Sequence, residues 1–304
     1  MPDRTPAAST SPSKGRVFLS RLLSSLILWT VLITALFSPN ATLAGACFVL
    51  VLLVLAGVGQ AEFYGLIERR GLPCFKWTGL GFGLVLVAST FVMLSGLIRP
   101  QTQPARAHDF ETGVVVVCFL GLCVRQFLAR NNPQGIVSIA TTLLGLMYVP
   151  WLLNFIQKIH FFPRAEGTFY LIYFILVTKF SDMGAYAVGS LIGKHKMIPR
   201  ISPGKTWEGF GGALLFSTGG SLLFAHLARG HLAGMTPLHA VVLGILLGAA
   251  AVMGDLIESL FKREAGAKDS GRLFPGIGGI LDLLDSLLFN APLMYLYLRH
   301  VLTH

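Results

Sequence analysis

The sequence predicts an all-α, polytopic integral membrane protein, and three observations support this prediction. Only 12% of its 304 residues are charged, 54% are hydrophobic, and the mean hydropathy is +0.69. A soluble domain carries about 25% charged residues, so this chain has too few polar groups to cover a globule. The apolar residues also form runs long enough to cross a bilayer, which takes about 20 residues. This composition excludes a soluble enzyme, a disordered chain and a nucleic-acid-binding module.

About nine apolar runs are predicted to be transmembrane helices. They lie near 19–37, 42–60, 78–98, 112–129, 136–157, 168–192, 208–228, 237–258 and 281–302. With a cytoplasmic N-terminus, 17 of the 24 Lys and Arg residues fall in cytoplasmic segments, six fall outside, and Lys179 lies within a span. Cytoplasmic loops of membrane proteins are enriched in Lys and Arg, so the asymmetry predicts an N-in, C-out topology. The net charge of +10 therefore needs no nucleic-acid partner.

The chain divides into three parts by composition. Residues 1–16, rich in Ser, Pro and Thr, predict a disordered cytoplasmic tail. Residues 17–165 predict N-terminal transmembrane helices with plain loops. Residues 166–304 predict a C-terminal transmembrane catalytic region, because eight of the 14 acidic residues lie from Asp182 onward. We expect any chemistry in this last part, on the cytoplasmic side.

Two carboxylate pairs flank one basic loop in the C-terminal part. Asp255 and Glu258 end an apolar helix, and Asp282 and Asp285 begin the last one. The i, i+3 spacing places each pair on one helix face. Clustered carboxylates near the bilayer repel one another unless a cation lies between them, and Mg²⁺ suits such oxygen ligands together with substrate phosphates. Glu258 fits a solvated helix end better than the other three do.

The loop between these pairs combines cations with glycines. It contains Lys262, Arg263, Lys268 and Arg272, and then a glycine-rich run over 275–279. Lys and Arg donate charge-assisted hydrogen bonds to phosphate oxygens. Glycines let backbone N–H groups approach an anion, and the N-terminus of the following helix adds partial positive charge. The combination indicates a phosphate-binding loop.

Two earlier segments also carry polar groups. A Gly-Lys-Thr tripeptide resembles the end of a Walker A motif, but the earlier glycine of that motif is missing, so a P-loop is excluded. Ser202, Lys205 and Thr206 can present hydroxyls and an ammonium group to phosphate, or they can form an ordinary helix-capping turn. Asp182, three residues after Lys179, indicates either a neutralised structural pair or the wall of a polar cavity.

These segments resemble the phosphatidate cytidylyltransferase (CDP-diacylglycerol synthase) family. The positions that match the family signature are Ser259, Phe261, Lys262, Arg263, Lys268, Asp269, Gly271, Phe274, Pro275, Gly278, Gly279, Ile280, Asp282, Leu284 and Asp285. The runs around Asp182 and Ser202 look like two further motifs of the family. Two positions depart, because Ile277 replaces a His and Leu283 replaces an Arg. A general base or a phosphate contact at those two positions is therefore not carried over.

The resemblance implies a multispanning, homodimeric enzyme that joins CTP and phosphatidic acid into CDP-diacylglycerol and pyrophosphate. It implies Mg²⁺, and a second cation stays open. We expect the bacterial inner membrane, with the active site on the cytoplasmic side. The residues expected in catalysis are Asp282, Asp285 and Asp255, which would also hold Mg²⁺, together with Lys262 and Lys268. The residues expected to bind substrate are Ser202, Lys205, Thr206, Arg263, Asp269, Arg272, Asp182, Gly278 and Gly279.

Three alternative functions compete with this interpretation. A CDP-alcohol phosphatidyltransferase also uses carboxylates and Mg²⁺, but it needs an Asp-Gly dipeptide, and the sequence has none. A transporter for a phosphorylated solute explains polar spans and a basic cavity, but not two carboxylate pairs around one loop. An inactive homologue is favoured by Ile277 and Leu283 alone.

Overall fold

The structure is a computed structural model that describes most of the chain. The described residues are 30, 34, 36, 38–97, 104–129, 133–163, 165–271 and 278–303, without the side chains of 104–108. The predicted tail at 1–16 lies outside them, and so does nearly all of the first predicted span. Arg272 and Ile277 also lie outside the described residues.

The regular secondary structure of the described residues is helical apart from one short hairpin. The helices are α1 Ala41–Arg69, α2 Lys76–Leu94, α3 Pro104–Leu128, α4 Gly135–Leu146, α5 Leu152–His160, α6 Gly167–Ile192, α7 Trp207–Leu227, α8 Pro237–Glu264 and α9 Ile280–Tyr297. A π-helical turn at Met147–Trp151 joins α4 to α5, and a second at Leu298–Leu302 extends α9. Eight helical segments within the described ranges are long and apolar enough to cross a membrane. The prediction of an all-α polytopic membrane protein is confirmed.

A two-stranded antiparallel hairpin, which the sequence did not predict, connects α6 to α7. Strand β1, Lys196–Ile198, pairs with β2, Ser202–Thr206. Thr206 ends β2 and also begins α7, because its Oγ1 accepts a hydrogen bond of 3.1 Å from the backbone N of Gly209. Such a hydroxyl satisfies one of the N–H groups that have no partner within the helix. The segment predicted as a turn is therefore a strand followed by a helix cap.

Helix α8 continues beyond its predicted end near residue 258. It ends in a Schellman motif, in which Gly266 donates to Arg263 O at 3.1 Å and Ala267 donates to Lys262 O at 2.8 Å. Gly266 has a φ of 62°, a conformation that glycine adopts without a steric penalty. Lys262 and Arg263, which the sequence placed in a loop, therefore lie on the last turns of α8.

Helix α9 lies within the bundle and packs against α1, α5, α6 and α8. Leu281, Leu284 and Leu288 of α9 belong to a continuous apolar core with residues of the N-terminal helices. Asn290 adds a polar tie, because its Nδ2 donates to Thr178 Oγ1 of α6 at 2.9 Å and to Leu247 O of α8 at 3.0 Å. These contacts fix α9 between the helices that carry the other acidic residues.

A buried ion pair joins α3 to α5. Lys158 and Glu111 are in direct contact, and only 4% and 3% of their side chains are exposed. Asn154 donates to the other Glu111 oxygen at 3.1 Å, and the Lys158 ammonium lies 4.2 Å from the centre of the Phe155 ring. Lys158, which the predicted topology places just outside a span, is therefore buried between helices. The N-terminal helices thus contain a buried positive charge that needs the Glu111 carboxylate as its counter-charge.

Replacing Lys158 by Met is expected to destabilise the protein by about 3–5 kcal/mol, because the Glu111 carboxylate would stay buried without a counter-charge. Thermal unfolding in detergent measures the effect. The double variant Glu111→Leu/Lys158→Met should recover most of the loss, because it removes both charges. Lys76→Met, which breaks the more exposed pair with Glu68, is the matched control. Equal unfolding temperatures for Lys158→Met and Lys76→Met would contradict the conclusion that the buried pair matters more for stability than the exposed one.

Candidate functional site

A cavity of about 400 Å³ opens between α6, β2, α7, α8 and the start of α9. Seven of the fourteen residues that the sequence proposed for the site line this cavity. They are Asp182, Ser202, Lys205, Thr206, Asp255, Asp282 and Asp285. The hairpin and the carboxylate-bearing helices thus meet at one cavity, although they are well separated along the chain.

Three carboxylates from two helices converge beside this cavity. Asp255 and Glu258 of α8 and Asp285 of α9 each offer an oxygen, and these oxygens all lie within 4.8 Å of one another. We call these three residues the acidic cluster. Glu258 is fully buried, and its Oε1 has no hydrogen-bond partner among the described residues. A solvated helix end, which the sequence favoured more for Glu258 than for the other three acids, is excluded because α8 continues past Glu258 and packs against α9.

Asp282 is not a member of the acidic cluster, and protein donors bind both of its carboxylate oxygens. Its Oδ2 accepts from Gly279 N at 2.7 Å, Ser270 Oγ at 2.9 Å and Ser270 N at 3.2 Å. Its Oδ1 accepts from Lys262 Nζ at 2.7 Å. Asp282 therefore caps the start of α9 and ties it to the segment after α8. The assignment of Asp282 as a metal ligand stays a prediction.

Lys262 connects the two carboxylate-bearing helices. Its ammonium group lies 2.5 Å from Glu258 Oε2, one turn earlier on α8, and 2.7 Å from Asp282 Oδ1 on α9. The side chain is 13% exposed and is not among the residues that line the cavity. Lys262 thus neutralises two carboxylates in this arrangement, whereas the sequence suggested that it binds phosphate.

Two lysines place their ammonium groups at the cavity. Lys205 Nζ lies 2.6 Å from Asp255 Oδ2. Lys179 Nζ lies 3.1 Å from Asp182 Oδ2 and 3.4 Å from Ser286 Oγ on α9. Each lysine is held beside a carboxylate and also faces the cavity. Phosphate oxygens entering the cavity would therefore meet positive charge on the α6 and β2 sides.

The other residues that the sequence proposed for the site lie in the segment between α8 and α9 or at the end of α8. Lys268 and Asp269 are exposed and do not line the cavity. Exposed Arg263 donates its Nε to Ile201 O at 3.1 Å, so it ties α8 to the turn before β2. Gly278 has a φ of 101°, and Gly279 is the N-cap of α9. A role for these residues in substrate binding stays a prediction.

Two groups near this site, Glu62 and Tyr148, were not among the residues that the sequence proposed. Glu62 of α1 accepts hydrogen bonds from Leu281 N at 2.8 Å and from Ser270 Oγ at 3.2 Å. Tyr148 lies in the first π-helical turn, and its buried hydroxyl has no hydrogen-bond partner among the described residues. The centre of the Tyr148 ring lies 5.3 Å from that of Phe261 on α8, next to Lys262 in the chain. The signals available were an acidic residue beside an apolar run and a proline at 150, which disturbs regular α-helical hydrogen bonding.

The fold and the cavity define a polytopic membrane protein with a site of carboxylates and lysines between its C-terminal helices. Residues 19–301 match the Cytidylyltransferase family, and the chain belongs to that family. The phosphatidate cytidylyltransferase of Staphylococcus aureus is 31% identical over 252 residues, which are 82% of this chain and 90% of that protein.

Proteins of the same name from Mycobacterium bovis and Mycobacterium tuberculosis are 35% identical over 194 residues. The aligned part covers 61% of this chain, and it spans 61% and 57% of those two proteins. The mycobacterial relatives are therefore matched over about three fifths of their length. The bacterial relatives and the apolar helices together identify an integral membrane protein.

Proposed function

We propose that this protein condenses CTP with phosphatidic acid to give CDP-diacylglycerol and pyrophosphate. The observation that carries the proposal is the acidic cluster beside a cavity that also receives the ammonium groups of Lys179 and Lys205. The carboxylates would bind a cation, and the ammonium groups would bind the phosphates of the two polyanionic reactants in the same cavity. Its volume of about 400 Å³ is in the range typical of small-molecule sites. The relatives named above, all called phosphatidate cytidylyltransferases, support the same activity.

The acidic cluster suits Mg²⁺. Carboxylate oxygens within 4.8 Å of one another would repel, and the unpartnered buried oxygen of Glu258 needs a compensating group. Asp255, Glu258 and Asp285 would hold the ion, and Asp282 is retained as a further candidate ligand. When bound, Mg²⁺ would screen the negative charge of the phosphate oxygens. A second cation stays open in the proposal, because CTP and phosphatidic acid would bring further negative charge to the same cavity.

In the proposed reaction, a phosphate oxygen of phosphatidic acid attacks the α-phosphorus of CTP. A new P–O bond forms, while the bond from the α-phosphorus to the oxygen that bridges to the β-phosphorus breaks, and its electron pair leaves with pyrophosphate. The second pKa of a phosphate monoester is about 6, so the attacking group is already ionised near pH 7. No general base is required, and Ile277 in place of His is compatible with activity.

The protein contributes mainly position and charge to such a transfer. Lys205 and Lys179 would neutralise phosphate oxygens, and the carboxylates of Asp255 and Asp182 hold these ammonium groups in place. Ser202, which lines the cavity on β2, would donate a hydroxyl hydrogen bond. The lipid headgroup would lie on the Asp182 side, and Lys268, Arg263 and Arg272 would act on the triphosphate.

We further propose that the site faces the cytoplasm in the bacterial inner membrane and that the protein is a homodimer. The hairpin and the loop after α8 lie at the same end of the bundle, because Arg263 contacts Ile201. Both segments are rich in Lys and Arg, which favours the cytoplasmic side. The homodimer follows from the family resemblance.

Purified protein supplied with labelled CTP, phosphatidic acid and Mg²⁺ should form CDP-diacylglycerol and an equal amount of pyrophosphate. Thin-layer chromatography and a coupled pyrophosphate assay measure the two products. Omitting phosphatidic acid or adding a chelator should stop both. A transporter of phosphorylated solutes would instead accumulate solute in proteoliposomes without releasing pyrophosphate, and that outcome would contradict the proposal.

A further inference from the structure

We propose that Glu62 of α1 is a positioning residue for the acidic cluster. It fixes the first turn of α9, and through that turn it holds the Asp285 carboxylate against Asp255 and Glu258. The inference rests on the proposed function, because it assigns the N-terminal helices a part in building the cation site of the C-terminal helices.

Glu62 binds the N-terminus of α9 directly. Its Oε2 accepts from Leu281 N at 2.8 Å. The first N–H groups of a helix have no partner within the helix, and a carboxylate there also interacts favourably with the helix dipole. Asp285 lies four residues after Leu281, one turn further along the same side of α9. Any movement of the first turn would therefore move the Asp285 carboxylate as well.

A continuous series of polar contacts leads from Glu62 to α8. Buried Ser270 Oγ lies 3.2 Å from Glu62 Oε2 and 2.9 Å from Asp282 Oδ2, so its single proton is shared between two carboxylates. Asp282 then contacts Lys262, and Lys262 contacts Glu258 of the acidic cluster. Two routes, one through Leu281 and one through Ser270, thus connect Glu62 with the cluster.

Gly271 and Gly279 pack closely against the Glu62 side chain. A Cβ atom added at Gly271 would meet the Glu62 side chain, and no other group is among its nearest atoms. A Cβ atom at Gly279 would meet both Glu62 and Ser270. Glu62 itself neither lines the cavity nor belongs to the acidic cluster. It therefore acts through the position of α9 and not as a ligand.

Glu62→Ala should lower kcat about 10- to 100-fold, as is typical when a group that orients a metal ligand is removed. Mn²⁺ alone, titrated without substrates and followed by electron paramagnetic resonance, should bind at least about tenfold more weakly for the same reason. Glu62→Gln should recover much of both properties, because its amide oxygen can still accept from Leu281 N. Glu68→Ala, on the exposed end of the same helix, is the matched control and should behave as wild type.

Gly271→Ala supplies an independent test. Gly271→Ala should weaken Mn²⁺ binding in the wild-type background. It should cause little further loss of Mn²⁺ affinity when residue 62 is already Ala, because the added methyl group would no longer collide with the Glu62 side chain.

Unchanged kcat and Mn²⁺ affinity in Glu62→Ala would overturn the inference. A lower yield of folded Glu62→Ala protein, with normal Mn²⁺ affinity in the folded fraction, would overturn it as well. Should Glu62→Ala fail to fold, Glu62→Gln and Gly271→Ala decide the question. Wild-type protein that binds Mn²⁺ but makes no CDP-diacylglycerol would refute the proposed function alone.

Discussion

Asp285→Asn is expected to reduce CDP-diacylglycerol formation at least about 10³-fold, which corresponds to about 4 kcal/mol of lost transition-state stabilisation. The substitution keeps the shape of the side chain and removes one of the three negative charges in the acidic cluster. A cation held by the two remaining carboxylates would be bound less tightly, and its several kcal/mol of charge stabilisation would be lost. Steady-state rates over a range of Mg²⁺ concentrations measure the effect.

The fold should survive Asp285→Asn, because the change relieves repulsion between neighbouring acids. Its unfolding temperature without Mg²⁺ should therefore be at or above that of the wild type. Glu264→Gln, an exposed acid at the end of α8, is the control for the loss of one negative charge near the site. An Asp285→Asn enzyme with a normal rate and normal Mg²⁺ dependence would show that the acidic cluster does not hold the ion.

Hydropathy predicted the described helices well and failed where a helix continues beyond its apolar part. The span predicted at 42–60 is the helix Ala41–Arg69, and the one predicted at 237–258 is Pro237–Glu264. A window of apolar residues reports the part of a helix that can lie in lipid. The helices continue through Glu, Lys and Arg, which are good helix formers but lower the mean hydropathy of a window, and residues of these extensions such as Tyr64 and Ser259 are buried in the protein.

The error at the end of α8 explains the error in the acidic cluster. A helix that ends near 258 favours a solvated position for Glu258 more than for the other three acids. With α8 continuing to Glu264, Asp255, Glu258 and Lys262 form one polar stripe at i, i+3 and i+7, and this stripe faces α9. The i, i+3 rule correctly placed each pair on one face. It gave no information on which carboxylates would meet across two helices.

Glu62 and Tyr148 could not be found from local pattern. The partners of Glu62 are 208 and 219 residues away along the chain, and a single sequence contains no record of such pairings. The hairpin was missed for another reason. A segment of Ser, Pro, Gly and Lys has weak strand propensity, and its strands form because α6 and α7 bring their ends together.

Lys205→Met is expected to lower kcat/KM for CTP about 10²- to 10³-fold. The Lys205 ammonium group lies 2.6 Å from Asp255 Oδ2 and faces the cavity, so its loss removes a phosphate contact and leaves Asp255 without its counter-charge. Removing one partner of such a charge pair typically costs about 2–5 kcal/mol. Most of the loss should appear in KM for CTP if the ammonium binds the triphosphate in the ground state, and in kcat if it acts only in the transition state.

Lys205→Arg separates charge from shape, because a planar guanidinium keeps the charge but cannot occupy the place of a compact ammonium group. Its activity should lie between those of the wild type and Lys205→Met. Lys196→Met is the matched control, since Lys196 lies opposite Thr206 in the hairpin, is exposed and does not line the cavity. Equal losses for Lys205→Met and Lys196→Met would mean that the hairpin contributes only general positive charge. A loss confined to Lys205→Met would mean that β2 carries a specific phosphate contact, made by a lysine that Asp255 holds in place.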